Sequence, residues 1–276
     1  MFADAMEKAA DYVRPVKTIA RIYKSDEVIP QAATMFFVNR EGAAVTCRHI
    51  AEEIMRAGRI NARYDSFRKE LNSLPSDRSI RIETNRMERR YDYLKGETTI
   101  QLRYSFADCY EKIERLSIDM HPFRDLAIIR LQGSGGMKYN GNVTFSQTQK
   151  PRPGMSVCRL GYPVTGFDDY EFFPDRDDIQ WTVSGSHVPV QIPAGGMIIR
   201  TISEEGRAKG FVLSGLCGSG YCGAPVVNRD GILMGMVTGT CTEVVDGNPV
   251  TYTECISAGA IKEFLQEKKV FYTEIG

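Results

Sequence analysis

The sequence predicts a mostly β chain built from two consecutive β units. Short apolar or alternating runs recur along most of its length, and Gly, Pro, Asn and Asp punctuate them. One stretch poor in apolar residues, Gln132–Pro153, divides the runs near the middle. The 276 residues suffice for one large domain or two small ones. Apolar residues make up 42% and aromatics 10%, enough for a substantial core, so disorder as the overall state is excluded. Lys plus Arg and Asp plus Glu both total 35, which leaves no net cationic field to hold nucleic acid or an anionic membrane.

Taken in order, Met1–Arg14 reads as a short amphipathic helix. It lacks the basic start and unbroken apolar stretch of a leader peptide. Strands are expected at Thr18–Tyr23, Thr34–Asn39 and Ala43–Thr46, with Asn39–Gly42 as a tight turn. Ile50–Leu74 sets Ile50, Ile54, Ile60, Tyr64, Phe67 and Leu71 at mostly helical spacing. Ser76–Arg90 is highly charged with few apolar anchors and reads as a solvated excursion. Strands at Thr98–Tyr104 and Leu126–Leu131 complete a first unit, 1–135, whose insertion covers 50–97. Residues 136–150 read as a linker. The second unit, 151–276, carries expected strands at Ser156–Leu160, Gln180–Val188, Gly196–Ile202, Gly210–Leu213, Ala224–Asn228, Leu233–Gly239 and Thr251–Ser257. Asn228–Gly231 is the counterpart of the first turn. Ala258–Lys268 is an amphipathic helix with Ile261, Phe264 and Leu265 on one face, and a short strand is expected within Val270–Gly276. No run approaches the roughly 18 apolar residues of a membrane span. The 7 cysteines are odd in number and no leader is evident, so reduced thiols and a cytoplasmic location are expected.

Three segments bear on chemistry. In Ser214–Asn228, glycines at 218, 220 and 223 surround Cys222. They give the backbone freedom to aim successive N–H groups at one point, as a developing oxyanion requires. In AAVTCRHI a strand runs directly into His49, one of 3 histidines. In HPFRDLAIIRL, Asp125 immediately precedes an apolar strand. Singly, each has a bland reading: a small buried hydrophobe, a structural His at a helix start, a turn-capping Asp.

Together, in the order His49, Asp125, Cys222 and each beside a strand, these segments resemble the trypsin-like proteases. TCRHI is similar to the T-A-A-H segment of that family, and RDLAIIRL to its D-L-A-V-L-R-L strand. GYCGAPVVN is similar to G-N-S-G-G-P-L-V-N, with Cys222 where the nucleophilic serine stands. RPGMSVCRLGYP at 152–163 and DGILMGMVTG at 230–239 resemble flanking strands of the second barrel, and ECISAGAIKEFL resembles the end of the high-temperature-requirement branch. The likeness runs over about 15–267, broken by the insertion. Viral cysteine proteases of the same fold share the G-x-C-G motif.

The resemblance implies a chymotrypsin-like, all-β fold: two six-stranded antiparallel β-barrels, a C-terminal helix and a partly helical insertion in the first barrel. It implies an endopeptidase that works through an acyl-enzyme, needs no cofactor, and takes a protein or peptide as partner. His49 would serve as base and acid, Asp125 would fix its tautomer, and the N–H groups of Gly220 and Cys222 would form the oxyanion hole. A substrate strand would lie along Val237, Thr238, Gly239 and Thr240, with Leu216 at the specificity pocket. The insertion would be a helical flap that gates the cleft or binds a regulatory protein. Alternatives stay open: a serine replaced by Cys222, a catalytically silent binding domain, or an esterase or transferase on the same scaffold. Ser219 is a weaker nucleophile because it is not followed by Gly-Ala-Pro, and Asp119 is a weaker carboxylate because no Leu-Ala-Ile strand follows it. No C-x-x-C pair occurs, so a structural zinc site is not expected. Cys47 reads as core packing.

Overall fold

A computed structural model describes residues 1–74, 80–204, 206–215 and 218–276. Helix α1 (Ala3–Ala10) leads into β1 (Val13–Ile22), β2 (Val28–Phe37) and β3 (Ala43–Thr46). Helices α2 (Arg48–Asn72) and α3 (Ile80–Arg90) follow, then β4 (Thr99–Phe106), β5 (Tyr110–Met120) and β6 (Ala127–Met137). After β7 (Thr144–Ser146) come β8 (Ser156–Gly161) and a hairpin of β9 (Tyr170–Phe173) and β10 (Asp178–Trp181). The remainder is β11 (Ile192–Glu204), β12 (Arg207–Leu213), β13 (Pro225–Val227), β14 (Leu233–Val245), β15 (Asn248–Ser257), α4 (Ala258–Glu267) and β16 (Thr273–Ile275).

The chain is mostly β, with two principal antiparallel sheets. The second-half strands close into a six-stranded barrel, β11-β12-β15-β14-β13-β8. The first-half strands form a six-stranded sheet in the order β4-β1-β2-β3-β6-β5. Counted by appearance, both follow the same circular path: first, second, third, sixth, fifth, fourth. Among the described residues, β4 and β5 do not pair, so the first sheet is an open one rather than the expected closed barrel. Helix α2 sits at that seam, packed on β4 and touching β5 and β6. The Asn61 side chain donates to Leu102 O at 2.8 Å and accepts from Leu102 N at 2.9 Å. It thereby satisfies backbone groups on the outer edge of β4, the groups a neighbouring strand would otherwise take.

The two tight turns form as the sequence suggests. Asn39 Oδ1 accepts from the backbone N–H of Glu41 and Ala43, and Asn228 Oδ1 accepts from those of Asp230 and Ile232. The terminal strand also forms, as β16, paired in parallel with β7.

Elsewhere the structure differs from expectation. The strand expected at Gln180–Val188 lies at Asp178–Trp181 instead, since its pairing with Tyr170–Phe173 ends at Trp181. The Ser76–Arg90 stretch holds α3 over its described part, because Met87 has an aromatic pocket to fill beside Tyr23, Tyr64, Phe67 and Tyr93; residues 76–79 lie outside the described residues. The 136–150 segment is anchored rather than a free connection: Tyr139, Val143 and Phe145 are buried. The largest core runs across both halves, joining Phe36, Val45 and Ile128 of the first to Leu160, Met236 and Phe264 of the second.

Candidate active site

The first half supplies His49 and Asp125. Strand β3 ends at Thr46, and Cys47 caps helix α2 with an extended backbone, so His49 lies in the first helical turn. Asp125 reaches it from the loop before β6. One carboxylate oxygen accepts the His49 backbone N–H at 3.0 Å, and the other meets His49 Nδ1 at 2.8 Å. A carboxylate only accepts, so Nδ1 carries the proton, leaving Nε2 for a partner on the far side of the ring. The loop is held in turn by Arg48, whose guanidinium donates to His121 O at 3.0 Å and Pro122 O at 2.6 Å.

The second half supplies Cys222. Cys222 follows a single 3₁₀ turn, Ser219–Tyr221, and the glycines there answer to close approaches. A Cβ on Gly220 would stand 1.9 Å from Tyr162 O, and one on Gly223, whose φ is +86°, would stand 1.9 Å from Thr34 O. Strand β2 grips the turn across the boundary between halves. Thr34 N donates to Cys222 O at 2.9 Å, and Thr34 Oγ1 donates to Gly220 O at 2.7 Å. Thr46 Oγ1 completes the clasp by donating to Thr34 O at 2.7 Å.

His49, Asp125 and Cys222 thus come together. Cys222 is in hydrogen-bonding reach of both Cys47 and His49. The neighbouring Cys47 thiol and then the His49 ring outweigh burial and draw the Cys222 thiol down to about 5. The Asp125 hydrogen bond and then the Cys222 hydrogen bond, against burial, lift His49 to about 10. Burial pushes the Asp125 carboxyl up, but its bonds from His49 prevail and hold it below the ordinary carboxylate range. The favoured state at neutral pH is therefore a thiolate beside an imidazolium.

Cys47 belongs to this cluster too, which core packing alone does not describe. It is fully buried, and its Sγ donates to Val237 O at 3.3 Å, while Cys222 Sγ contacts Thr238 O, the next carbonyl of β14, at 3.6 Å. Burial, then the Cys222 hydrogen bond, pushes the Cys47 thiol well above its ordinary range. Glu53, one helical turn beyond His49, is a further residue the motifs did not indicate. It lines the same cleft, and burial raises its carboxyl.

The expected oxyanion hole is not formed in this conformation. The Cys222 N–H points inward and donates to Ser219 O at 3.0 Å, closing the 3₁₀ turn. Among the expected substrate contacts, Leu216 lies outside the described residues. Val237 is fully buried; its N–H donates to Ala224 O, and its carbonyl accepts from Gly223 N and Cys47. It is a floor beneath the nucleophile, not a face for substrate. Thr238 is half-buried at a register shift in β14 and lines a cavity of about 250 Å³ beside Asp125. Gly239 has open space where a Cβ would stand, and Thr240 is exposed. On the other side of His49 lies a cleft of about 310 Å³ lined by Gln31, His49, Glu53, Pro163, Gly220 and Cys222.

The rival residues are engaged elsewhere. Asp119 pairs with Arg130, and Ser219 contributes the carbonyl that closes the turn. His187 bonds Asp169 at 3.0 Å, and His121 packs on Phe264. Ligand atoms of Cys47, His49 and Asp125 lie within 4.8 Å of one another, close enough to share a thiophilic cation. Each is also satisfied by protein: the ring by the carboxylate, the thiol by Val237 O. Among the described residues, no helix is long and apolar enough to cross a membrane. Comparison with protein-family models and with curated protein sequences gives no match for this chain.

Proposed function

We propose that the chain is an endopeptidase that cleaves peptide bonds through Cys222, with His49 as acid and base and Asp125 as its orienting carboxylate. The observation that carries this reading is the double hold of Asp125 on His49, at backbone N and at Nδ1, which turns the rest of the ring to Cys222. In the reaction, the Cys222 thiolate attacks the substrate carbonyl. His49 gives its proton to the leaving amine and then draws one from water to release the acyl group. Asp125 keeps the ring in register throughout.

The finer fold reading, a chymotrypsin-like pair of barrels, draws support from the circular strand order shared by the two halves, with the first barrel unzipped at the β4–β5 seam. The reading of substrate as an extended peptide draws support from β14, which continues well beyond its pairing with β13 at Met236. A peptide added along Thr238–Thr240 would start beside the cavity that Thr238 and Asp125 line, with Cys222 Sγ against Thr238 O. For turnover, the Ser219–Gly220 peptide rotates so that its carbonyl releases the Cys222 N–H and its own N–H turns toward the substrate oxygen.

The test is incubation with a diverse peptide pool, read by mass spectrometry of new termini. Cleavage is expected, together with its loss in Cys222→Ala and His49→Ala. Rapid labelling of Cys222 by a peptide-like electrophile without any new peptide termini would favour an esterase or transferase. Slow labelling equal to that of His49→Ala, with no cleavage, would favour a silent binding domain.

A further inference from the structure

The site sets two thiols together where acyl transfer needs one. Cys47 is sealed from solvent at 0% exposure, whereas Cys222 opens into the cleft. Their sulfurs rest on consecutive carbonyls of one strand, Val237 O and Thr238 O, at 3.3 and 3.6 Å. No step of the proposed peptidase chemistry consumes a proton or an electron from Cys47. A buried thiol facing a solvent-accessible nucleophilic one is the arrangement of a resolving cysteine beside a peroxide-sensitive cysteine.

We infer that Cys47 and Cys222 form a reversible redox pair in which a hydroperoxide oxidises Cys222 and Cys47 captures the product as a disulfide. The inference rests on the reading of Cys222 as a reactive thiolate. In the first step, that thiolate attacks the terminal oxygen of the hydroperoxide. An S–O bond forms, the O–O bond breaks, and the sulfur gives up two electrons to yield a sulfenic acid and one hydroxide or alkoxide. In the second, the Cys47 sulfur displaces the hydroxyl from Cys222. The S–S bond forms, the S–O bond breaks, and the Cys47 proton leaves with the hydroxyl as water. A dithiol reductant returns two electrons and restores both thiols.

The remaining described cysteines take no part. Cys109, Cys158 and Cys255 are buried, Cys241 is partly exposed on β14, and none of them acts on the Cys222 thiol as the neighbouring Cys47 does. The disulfide would keep Cys222 from over-oxidation, because a sulfenic acid already captured by Cys47 is not available for the irreversible step to sulfinic acid. It would also remove the nucleophile and tie the second-half turn covalently to the residue that precedes the helix carrying His49.

The experiment treats the full chain with hydrogen peroxide near stoichiometry and reads intact mass, then proteolytic peptides without reduction. The expected result is a loss of two hydrogens, a cross-linked pair of peptides containing Cys47 and Cys222, and loss of Cys222 alkylation that dithiothreitol restores. In Cys47→Ser, whose hydroxyl can keep the bond to Val237 O, one equivalent of peroxide is expected to leave Cys222 as a sulfenic acid that dithiothreitol reduces, and excess peroxide to carry it on to a sulfinic acid that dithiothreitol does not reduce. Oxygen addition at Cys222 of the unaltered chain, with Cys47 still alkylatable after denaturation, would overturn the inference, as would a disulfide to any other cysteine. These readouts do not involve peptide cleavage. A chain that cleaves peptides but forms no disulfide sinks this inference alone, and a chain that forms it without cleaving sinks only the peptidase reading.

Discussion

The charge state of Cys222 is the property on which the site turns, and pH tests it directly. A thiol drawn down to about 5 is ionised above that value and protonated below it. Alkylation by a neutral reagent should therefore be flat from neutral pH to about pH 6 and fall as pH drops through about 5. Replacing Cys47 or His49 with Ala removes one cause of the depression, and each unit of rise lowers the thiolate fraction about tenfold at pH below the new midpoint. Either variant should move the midpoint of the alkylation profile upward and slow alkylation below the new midpoint; an unchanged pH midpoint in both would show that neither residue stabilises the thiolate. The motifs carried His49, Asp125 and Cys222 because each has a distinctive neighbour in sequence. Cys47 stands in the same motif and reads as packing, because only the turn from strand into helix, which puts Cys47 at the cap of α2 and His49 in its first turn, brings both side chains to Asp125. The inward Cys222 N–H was not legible at all, since a peptide rotation leaves no trace in residue identity.

At the scale of elements, the clasp of β2 on the nucleophile turn and the seating of α2 separate chemistry from support. Thr34→Val keeps the shape of the side chain but leaves Gly220 O without its hydroxyl donor and Tyr162 N with only its long bond to Gly220 O at 3.4 Å. A loss of about 1–3 kcal/mol in chemical denaturation is expected, with slower Cys222 alkylation because the turn loosens. Phe67→Ala, by contrast, empties the aromatic cluster that seats α2 and α3 against β1 and β4. It should cost about 3–5 kcal/mol while leaving alkylation of the folded chain unchanged. If Phe67→Ala instead changes the alkylation rate of the folded chain severalfold, the insertion acts as a gate rather than as a pillar. Helical spacing announced α2 plainly. It could not announce that the helix replaces a strand contact, because Asn61 looks like any other polar surface residue until Leu102 is beside it. Strand β5 escaped notice for a related reason: YEKIERLSIDM is half exposed along its length and carries charge between its apolar positions.

For the whole molecule, the two halves are stitched by buried polar contacts as well as by a shared core. Lys17 on β1 is almost wholly buried and reaches both oxygens of Asp169 at 2.7 Å and His187 O at 2.8 Å, over the rings of Phe167 and Trp181. Burial lowers its ammonium below the ordinary range, with Asp169 opposing. Asp169→Asn should destabilise by about 3–5 kcal/mol by leaving a buried cation without its counter-charge, and adding Lys17→Met should recover much of that loss. A double variant no more stable than the single one would show that the pair does not act as a unit. None of this stitching was visible beforehand, since it links residues more than 150 positions apart and follows no local period.

The clasp of Thr34 and Thr46 on the Cys222 turn sets an order in time. A ribosome completes β2, β3, His49 and Asp125 while Cys222 is still to be made, and the turn that presents Cys222 is held by the first half and by Val237 of β14, which is made later still. About a third of the chain therefore still separates the completed His49–Asp125 pair from Cys222, and the turn that carries Cys222 takes its final form only when the last barrel strands have closed behind it.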